Sequence, residues 1–118
     1  MIRAFTTGIS VAALGLITAL PATAQEPTGG VVSIGGAVTE IVFALGAQRQ
    51  LVARDTTSSY PPEAAALPDV GYMRALSPEG VLATGPKLII AEEGAGPPET
   101  IEVLEQADIP FVTVPDDY

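Results

Sequence analysis

The chain has 118 residues, with 14 Asp and Glu against five Lys and Arg, no histidine and no cysteine, for a net charge of −9. So acidic a balance argues against nucleic-acid binding, which depends on Lys and Arg neutralising phosphates, and against anionic membrane surfaces. Without Cys or His there is no disulfide framework, no zinc or copper site of the usual donors, and none of the commonest general bases or thiol nucleophiles.

Residues 1–24 are expected to be a cleaved secretory signal peptide. Arg3 supplies the positive start, Gly8 to Leu20 is uncharged and mostly apolar, and Pro21 breaks the run before Ala22-Thr23-Ala24, a small-x-small cleavage pattern. The apolar run is too short and too rich in Ala, Thr and Gly for a transmembrane helix. Cleavage after Ala24 would leave residues 25–118 in the bacterial periplasm, not inserted in a membrane and with no cysteine for lipid attachment. The cations of that segment are Arg49, Arg54, Arg74 and Lys87, and Arg54 and Arg74 are the obvious suppliers of a cationic spot for an anionic ligand. The segment is long enough for one small domain with a marginal core, and too apolar for a disordered chain.

After a polar lead-in from Gln25 to Gly30, Val31-Val32-Ser33-Ile34 is a β-branched run turned by Gly35-Gly36, and so a first strand. Val38, Ile41, Val42 and Leu45 recur at helical spacing over Ala37 to Leu45, and Gly46 is the stop. Leu51-Val52-Ala53 is the second strand, followed by a loop from Asp55 to Pro68 with a short helical turn over Glu63 to Leu67. Ser77-Pro78-Glu79 combines an N-cap serine, a proline at the first helical position and a first-turn acid, starting a helix to about Ala83. Lys87 to Ala91 is the third strand, Glu99 to Ala107 a helix with Ile101, Leu104 and Ala107 inward, and Phe111-Val112-Thr113-Val114 the fourth strand. Apolar strands alternating with helices predict an α/β fold, a mainly parallel sheet with helices on both faces. The stop at Pro115-Asp116-Asp117-Tyr118, straight after a strand, is expected to be a truncation.

In open parallel sheets ligands sit outside the carboxyl ends of the strands. Here those ends lead into Gly35-Gly36, Asp55 to Tyr60, Glu92 to Pro97 and Asp116 to Tyr118, and Tyr72 belongs to the same rim. Ser33-Ile34-Gly35-Gly36-Ala37 lacks the third glycine of a dinucleotide turn and no Lys follows it, which favours a tight turn over a phosphate cradle. Glu92-Glu93 fits a solvated loop better than an acid–base dyad. Asp69 to Ser77 sets Tyr72 and Arg74 two residues apart, so that in an extended segment both project to one side. A phenolate is a hard oxygen donor for ferric iron and is favoured by a nearby cation. Tyr60, Tyr72 and Tyr118 are the candidates. The competing reading is a turn tyrosine packed on apolar neighbours beside a solvated Arg74, and these residues alone leave both open.

Val31 to Asp116 resembles the amino-terminal lobe of periplasmic haem-binding proteins that feed haem to bacterial ABC importers, within the siderophore, cobalamin and haem group of binding proteins. The words that carry the resemblance are Val32-Ser33-Ile34-Gly35-Gly36-Ala37-Val38-Thr39-Glu40-Ile41, Asp69-Val70-Gly71-Tyr72-Met73-Arg74-Ala75-Leu76-Ser77, Glu79-Gly80-Val81-Leu82 and Glu93-Gly94-Ala95-Gly96-Pro97-Pro98. It implies one lobe of a two-lobe α/β protein, with the bridging helix and second lobe absent. It further implies that Tyr72 is the axial ligand to ferric haem iron, that Arg74 assists near the tyrosinate or a propionate, and that Glu79 docks onto an arginine of the permease. Haem is then the transported ligand, the importer permease the partner, and the protein a monomer and not an enzyme. A siderophore- or corrinoid-binding relative is the alternative within this class, and a fragment of an exported α/β enzyme the alternative outside it.

Overall fold

The computed structural model describes residues 29–117 together with Gly15. The signal-peptide reading of residues 1–24 therefore lies outside the described residues, Gly15 apart. Four parallel strands, β1 (Val31–Ile34), β2 (Leu51–Arg54), β3 (Leu88–Glu92) and β4 (Phe111–Val114), form one sheet in the order β2-β1-β3-β4. The helices are α1 (Gly36–Ala44), α2 (Pro78–Leu82) and α3 (Pro98–Gln106), with short 3-10 turns at Gln48–Gln50 and Pro62–Ala66. A parallel pair needs a crossover, and each crossover here carries a helix or a helical turn.

The central strand β1 is buried along its whole length, as a strand covered on both faces is, and its one polar side chain, Ser33, is hydrogen-bonded to Thr39. Side chains alternate across the sheet. Val32 and Ile34 of β1 lie in register with Ile89 and Ala91 of β3, and with Ala53 of β2 they form one face. That face packs with Val81 of α2, Leu104 of α3, and Val70, Met73 and Leu76 from the segment between β2 and α2. On the opposite side α1 lies against β1 and β3 through the buried Val38. Helices thus cover both faces, in agreement with the sequence pattern.

Local signals operate as the sequence suggests. The Ser77 hydroxyl accepts a hydrogen bond from the Gly80 N–H at 3.3 Å, with Pro78 at the first helical position. Gly35, at φ +107, turns β1 into α1, and a Cβ there would overlap the Glu92 side chain. Conformation and space together therefore demand glycine at this position.

One expectation is only half met. Val38, Ile41, Val42 and Leu45 do share a helical stripe, but Ile41 is 52% exposed and Leu45 76% exposed. With Ile90, Val112 and Val114 they line an open apolar groove beside α1. Periodicity identifies the residues on one helix face; it does not say whether anything lies over them. Stability should divide accordingly. Ile34→Ala, which empties a fully buried position, is expected to lower unfolding free energy by about 2–5 kcal/mol in urea titration. Ile41→Ala is expected to cost no more than about 0.5 kcal/mol in the same titration.

Candidate functional site

The carboxyl ends of the strands meet around a buried acid. Asp55 follows β2 and has no exposed surface. Its Oδ1 accepts from the Gly35 N–H at 2.9 Å and the Ser58 hydroxyl at 2.6 Å, and its Oδ2 from the Thr57 N–H at 3.0 Å and the Thr57 hydroxyl at 2.6 Å. The Ser58 hydroxyl also meets Thr39 at 2.6 Å, and Thr39 meets Ser33 at 2.6 Å. A buried carboxylate is costly unless its lone pairs are satisfied, and here they are. Among the described residues no buried side-chain polar atom lacks a partner. The network locks the loop after β2 to the β1–α1 turn. Asp55 takes the Gly35 N–H and Glu92 stands against the same turn, so two acids occupy the place where a phosphate would need donors.

Arg54 does not supply the rim cation that its sequence position suggested. Its guanidinium donates to the carbonyls of Leu67, Asp55 and Ala65 and to Asp69 Oδ2, the last at 3.2 Å. All these partners lie within the lobe, so this arginine is structural. Arg74, by contrast, is exposed, and the described residues give it no ion pair.

The segment bearing Tyr72 is a turn rather than the extended segment considered beside it from the sequence. The Ala75 N–H donates to the Tyr72 carbonyl at 2.8 Å, closing a turn with Met73 and Arg74 at its centre. The side chains sort as anticipated all the same: Met73 is buried in the core, while Tyr72 is 49% exposed and Arg74 is exposed. Among the described residues no hydrogen bond joins the phenol to the guanidinium or to any other group. Tyr60 stands on the loop after β2 and is 65% exposed; Tyr118 lies outside the described residues. Among the described residues no group of three or more acids gathers as a metal-ion cage.

Glu79 sits in the first turn of α2, fully at the surface, and its Oε2 accepts from the Ser77 hydroxyl at 2.9 Å. Its own backbone N–H, and secondarily Ser77, hold its carboxyl below the usual carboxylate range. Sequence reading assigned no role to Asp55 or Asp69. An acid ending a strand ahead of a Thr-Thr-Ser-Ser run was the available sign of the first, since short hydroxyl side chains there close onto carboxylates and turn amides.

The fold and rim define a lobe of a substrate-binding protein. The family described as periplasmic binding protein matches residues 31–118, and the chain belongs to it. The periplasmic heme-binding protein RhuT of Roseiflexus sp. RS-1 is 43% identical, with a TM-score of 0.72 over 75% of this chain and 34% of that one. A periplasmic heme-binding protein from Pseudomonas aeruginosa is 44% identical, with a TM-score of 0.70 over 73% of this chain and 31% of that one. The vitamin B12-binding protein of Vibrio parahaemolyticus is 34% identical over 88 residues, 75% of this chain and 32% of that protein. The chain thus spans about a third of the length of these relatives and corresponds to a single lobe. They are periplasmic binding proteins rather than enzymes, which removes the exported-enzyme alternative.

Glu79 yields a pH-dependent expectation. A carboxyl whose folded pKa is depressed stabilises the fold above its unfolded pKa and ceases to do so as pH falls through the folded value. Wild type is therefore expected to melt above Glu79→Gln at neutral pH, with the gap closing below the usual carboxylate range. Thermal melts of both proteins across a pH series check this; a gap that persists in acid would assign the difference to packing instead.

Proposed function

We propose that this chain is the amino-terminal lobe of a haem-binding protein that delivers haem to an ABC importer for iron acquisition. Tyr72 is the axial ligand to ferric haem iron, and Arg74 the cation beside the tyrosinate or a haem propionate. The observation that carries this reading is the Tyr72 phenol, 49% exposed on a fixed turn at the strand ends with no hydrogen bond inside the lobe. A lone hard oxygen donor suits an iron already held by a macrocycle, as haem iron is. Two heme-binding relatives at 43% and 44% identity support the same choice. Residues 1–24 serve as the leader that takes the protein to the periplasm, where it acts as a monomer, and Glu79 docks it to the permease.

A corrinoid is the second reading, favoured by the vitamin B12-binding relative; a siderophore would use the cleft similarly. In either case Tyr72 lines the cleft without bonding to a metal.

Haemin and cyanocobalamin added separately to residues 25–118 distinguish the readings. Pockets bury about 70–90% of such ligands, and one lobe offers one wall, so haemin binding to this segment should be weak. At saturating haemin the high-spin ferric tyrosinate bands are expected in wild type and Tyr60→Phe and absent in Tyr72→Phe, which keeps the ring and removes only the donor. Arg74→Ala is expected to weaken binding by about 1.5–3 kcal/mol, the worth of one charge-assisted hydrogen bond. An unchanged spectrum in Tyr72→Phe defeats the assignment, and preferential cyanocobalamin binding transfers the reading to the corrinoid.

Docking has its own check. A rim charge pair acts mainly on association rate and its salt dependence. Glu79→Gln is expected to leave haemin affinity intact while slowing transfer to the permease at low salt; an unaltered transfer rate refutes the docking role.

A further inference from the structure

The Tyr72 turn is held at both ends before any ligand arrives. On its amino-terminal side, residues 68–71 lie along residues 54–56. The Arg54 N–H donates to the Pro68 carbonyl at 3.0 Å, the Val70 N–H to the Arg54 carbonyl at 2.9 Å, and the Thr56 N–H to the Gly71 carbonyl at 2.9 Å. On its carboxyl side, the Gly96 N–H donates to the Met73 carbonyl at 2.8 Å and the Leu76 N–H to the Gly96 carbonyl at 2.9 Å. The Thr100 hydroxyl donates to the Leu76 carbonyl at 2.9 Å.

One side chain gathers the amino-terminal half. Asp69 Oδ1 accepts from the Gly71 N–H at 2.8 Å and from the Thr56 hydroxyl at 3.0 Å. Its Oδ2 accepts from the same hydroxyl at 3.1 Å and from Arg54 Nη1 at 3.2 Å. The Gly71 contact matters most, because Gly71 has φ +103 and immediately precedes Tyr72. Orienting the Gly71 N–H fixes the Val70–Gly71 peptide on one side of the Gly71 Cα. The next peptide, which enters Tyr72, is held through the Gly71 carbonyl by the Thr56 N–H at 2.9 Å, and Asp69 binds the Thr56 side chain. The hydrogen bonds of Asp69 go to Arg54, Thr56 and the Gly71 N–H and none goes to the phenol; it acts through the backbone.

We infer that Asp69 is the positioning residue for Tyr72, fixing the phenol in its ligand-ready direction through the Gly71 amide and Thr56. The inference rests on the haem reading above for its ligand, though not for its geometry. Sites perform when a functional side chain is held by supporting hydrogen bonds rather than left to find its pose. Loss of that support appears as weaker binding and a heterogeneous ligand field, not merely as a lower melting temperature.

Three variants and two readouts test it. Asp69→Ala, studied well below its melting temperature, is expected to weaken haemin binding about tenfold or more, the effect of losing hydrogen bonds to a charged group. Its tyrosinate charge-transfer band should broaden. Asp69→Asn keeps an oxygen for the Gly71 N–H and is expected to restore most of the affinity and the sharp band. Thr56→Val, which removes only the hydroxyl, should fall between them. Independently of ligand, amide hydrogen exchange at Gly71 should accelerate in Asp69→Ala and Thr56→Val but not in Asp69→Asn. Should Asp69→Ala fail to fold, Thr56→Val decides. Wild-type affinity, band shape and Gly71 exchange in the folded variants overturn the positioning role. A wild-type protein without the tyrosinate band, but with faster Gly71 exchange in Thr56→Val, defeats the haem reading and leaves the positioning of Tyr72 standing.

Discussion

The fully buried carboxylate of Asp55 ties the loop after β2 to the β1–α1 turn, just beyond the last paired residues of two neighbouring strands. It lies beyond the last residue of β2 and takes the backbone N–H of Gly35, at the end of β1, and both the amide and the hydroxyl of Thr57. Without those donors the charge would carry the large cost of an unpaired buried ion. With them it forces the loop after β2 to fold back over the β1–α1 turn. The loop geometry then sets where Thr56 stands, and Thr56 pairs with Gly71 just before Tyr72. A residue far from the rim surface in exposure thus governs what the rim presents.

The acid-rich character of the lobe acquires meaning from where its few cations go. Arg54 is drawn inward, spent on three carbonyls and one carboxylate, and stitches the Pro62–Ala66 turn to the stretch before Tyr72. Arg74 stays outward on the tyrosine turn. Two arginines with the same apparent role in the sequence are separated by their surroundings: one meets carbonyls within reach, the other meets solvent. Against a surface otherwise dominated by Asp and Glu, the exposed guanidinium, two residues along the chain from Tyr72, is a local reversal of charge.

Much of this architecture was legible because its signals are local. Val31 to Ile34, Phe111 to Val114 and the Ser77-Pro78-Glu79 start declare themselves through side-chain branching and capping chemistry, and their bounds fall within a residue or so of expectation. Tyr72 and Glu79, singled out in the sequence, both lie at the surface. What escaped depended on partners distant in sequence. Nothing adjacent to Asp55 announces Gly35 as a donor, and nothing near Arg54 announces Leu67 or Ala65. The conformation at Tyr72 was left open for a related reason: an i, i+2 spacing fits a turn with a buried middle residue as well as it fits an extended segment. Ile41 and Leu45 show the complementary limit, since a helical stripe is a property of the helix and burial is a property of its neighbours.

The strand order has a consequence for how this lobe comes into being. The sheet's centre is its first strand, and the residues that complete it, 88–91, come from the far half of the chain. β1 can pair early with β2, but its other edge stays open until β3 has been made. Closing so long a loop is entropically costly, and pairing of this kind slows folding. During synthesis the most buried strand therefore waits with one unpaired side, a state prone to wrong partners. The lobe must fold late and as a unit, which keeps the nascent chain pliable for most of its length.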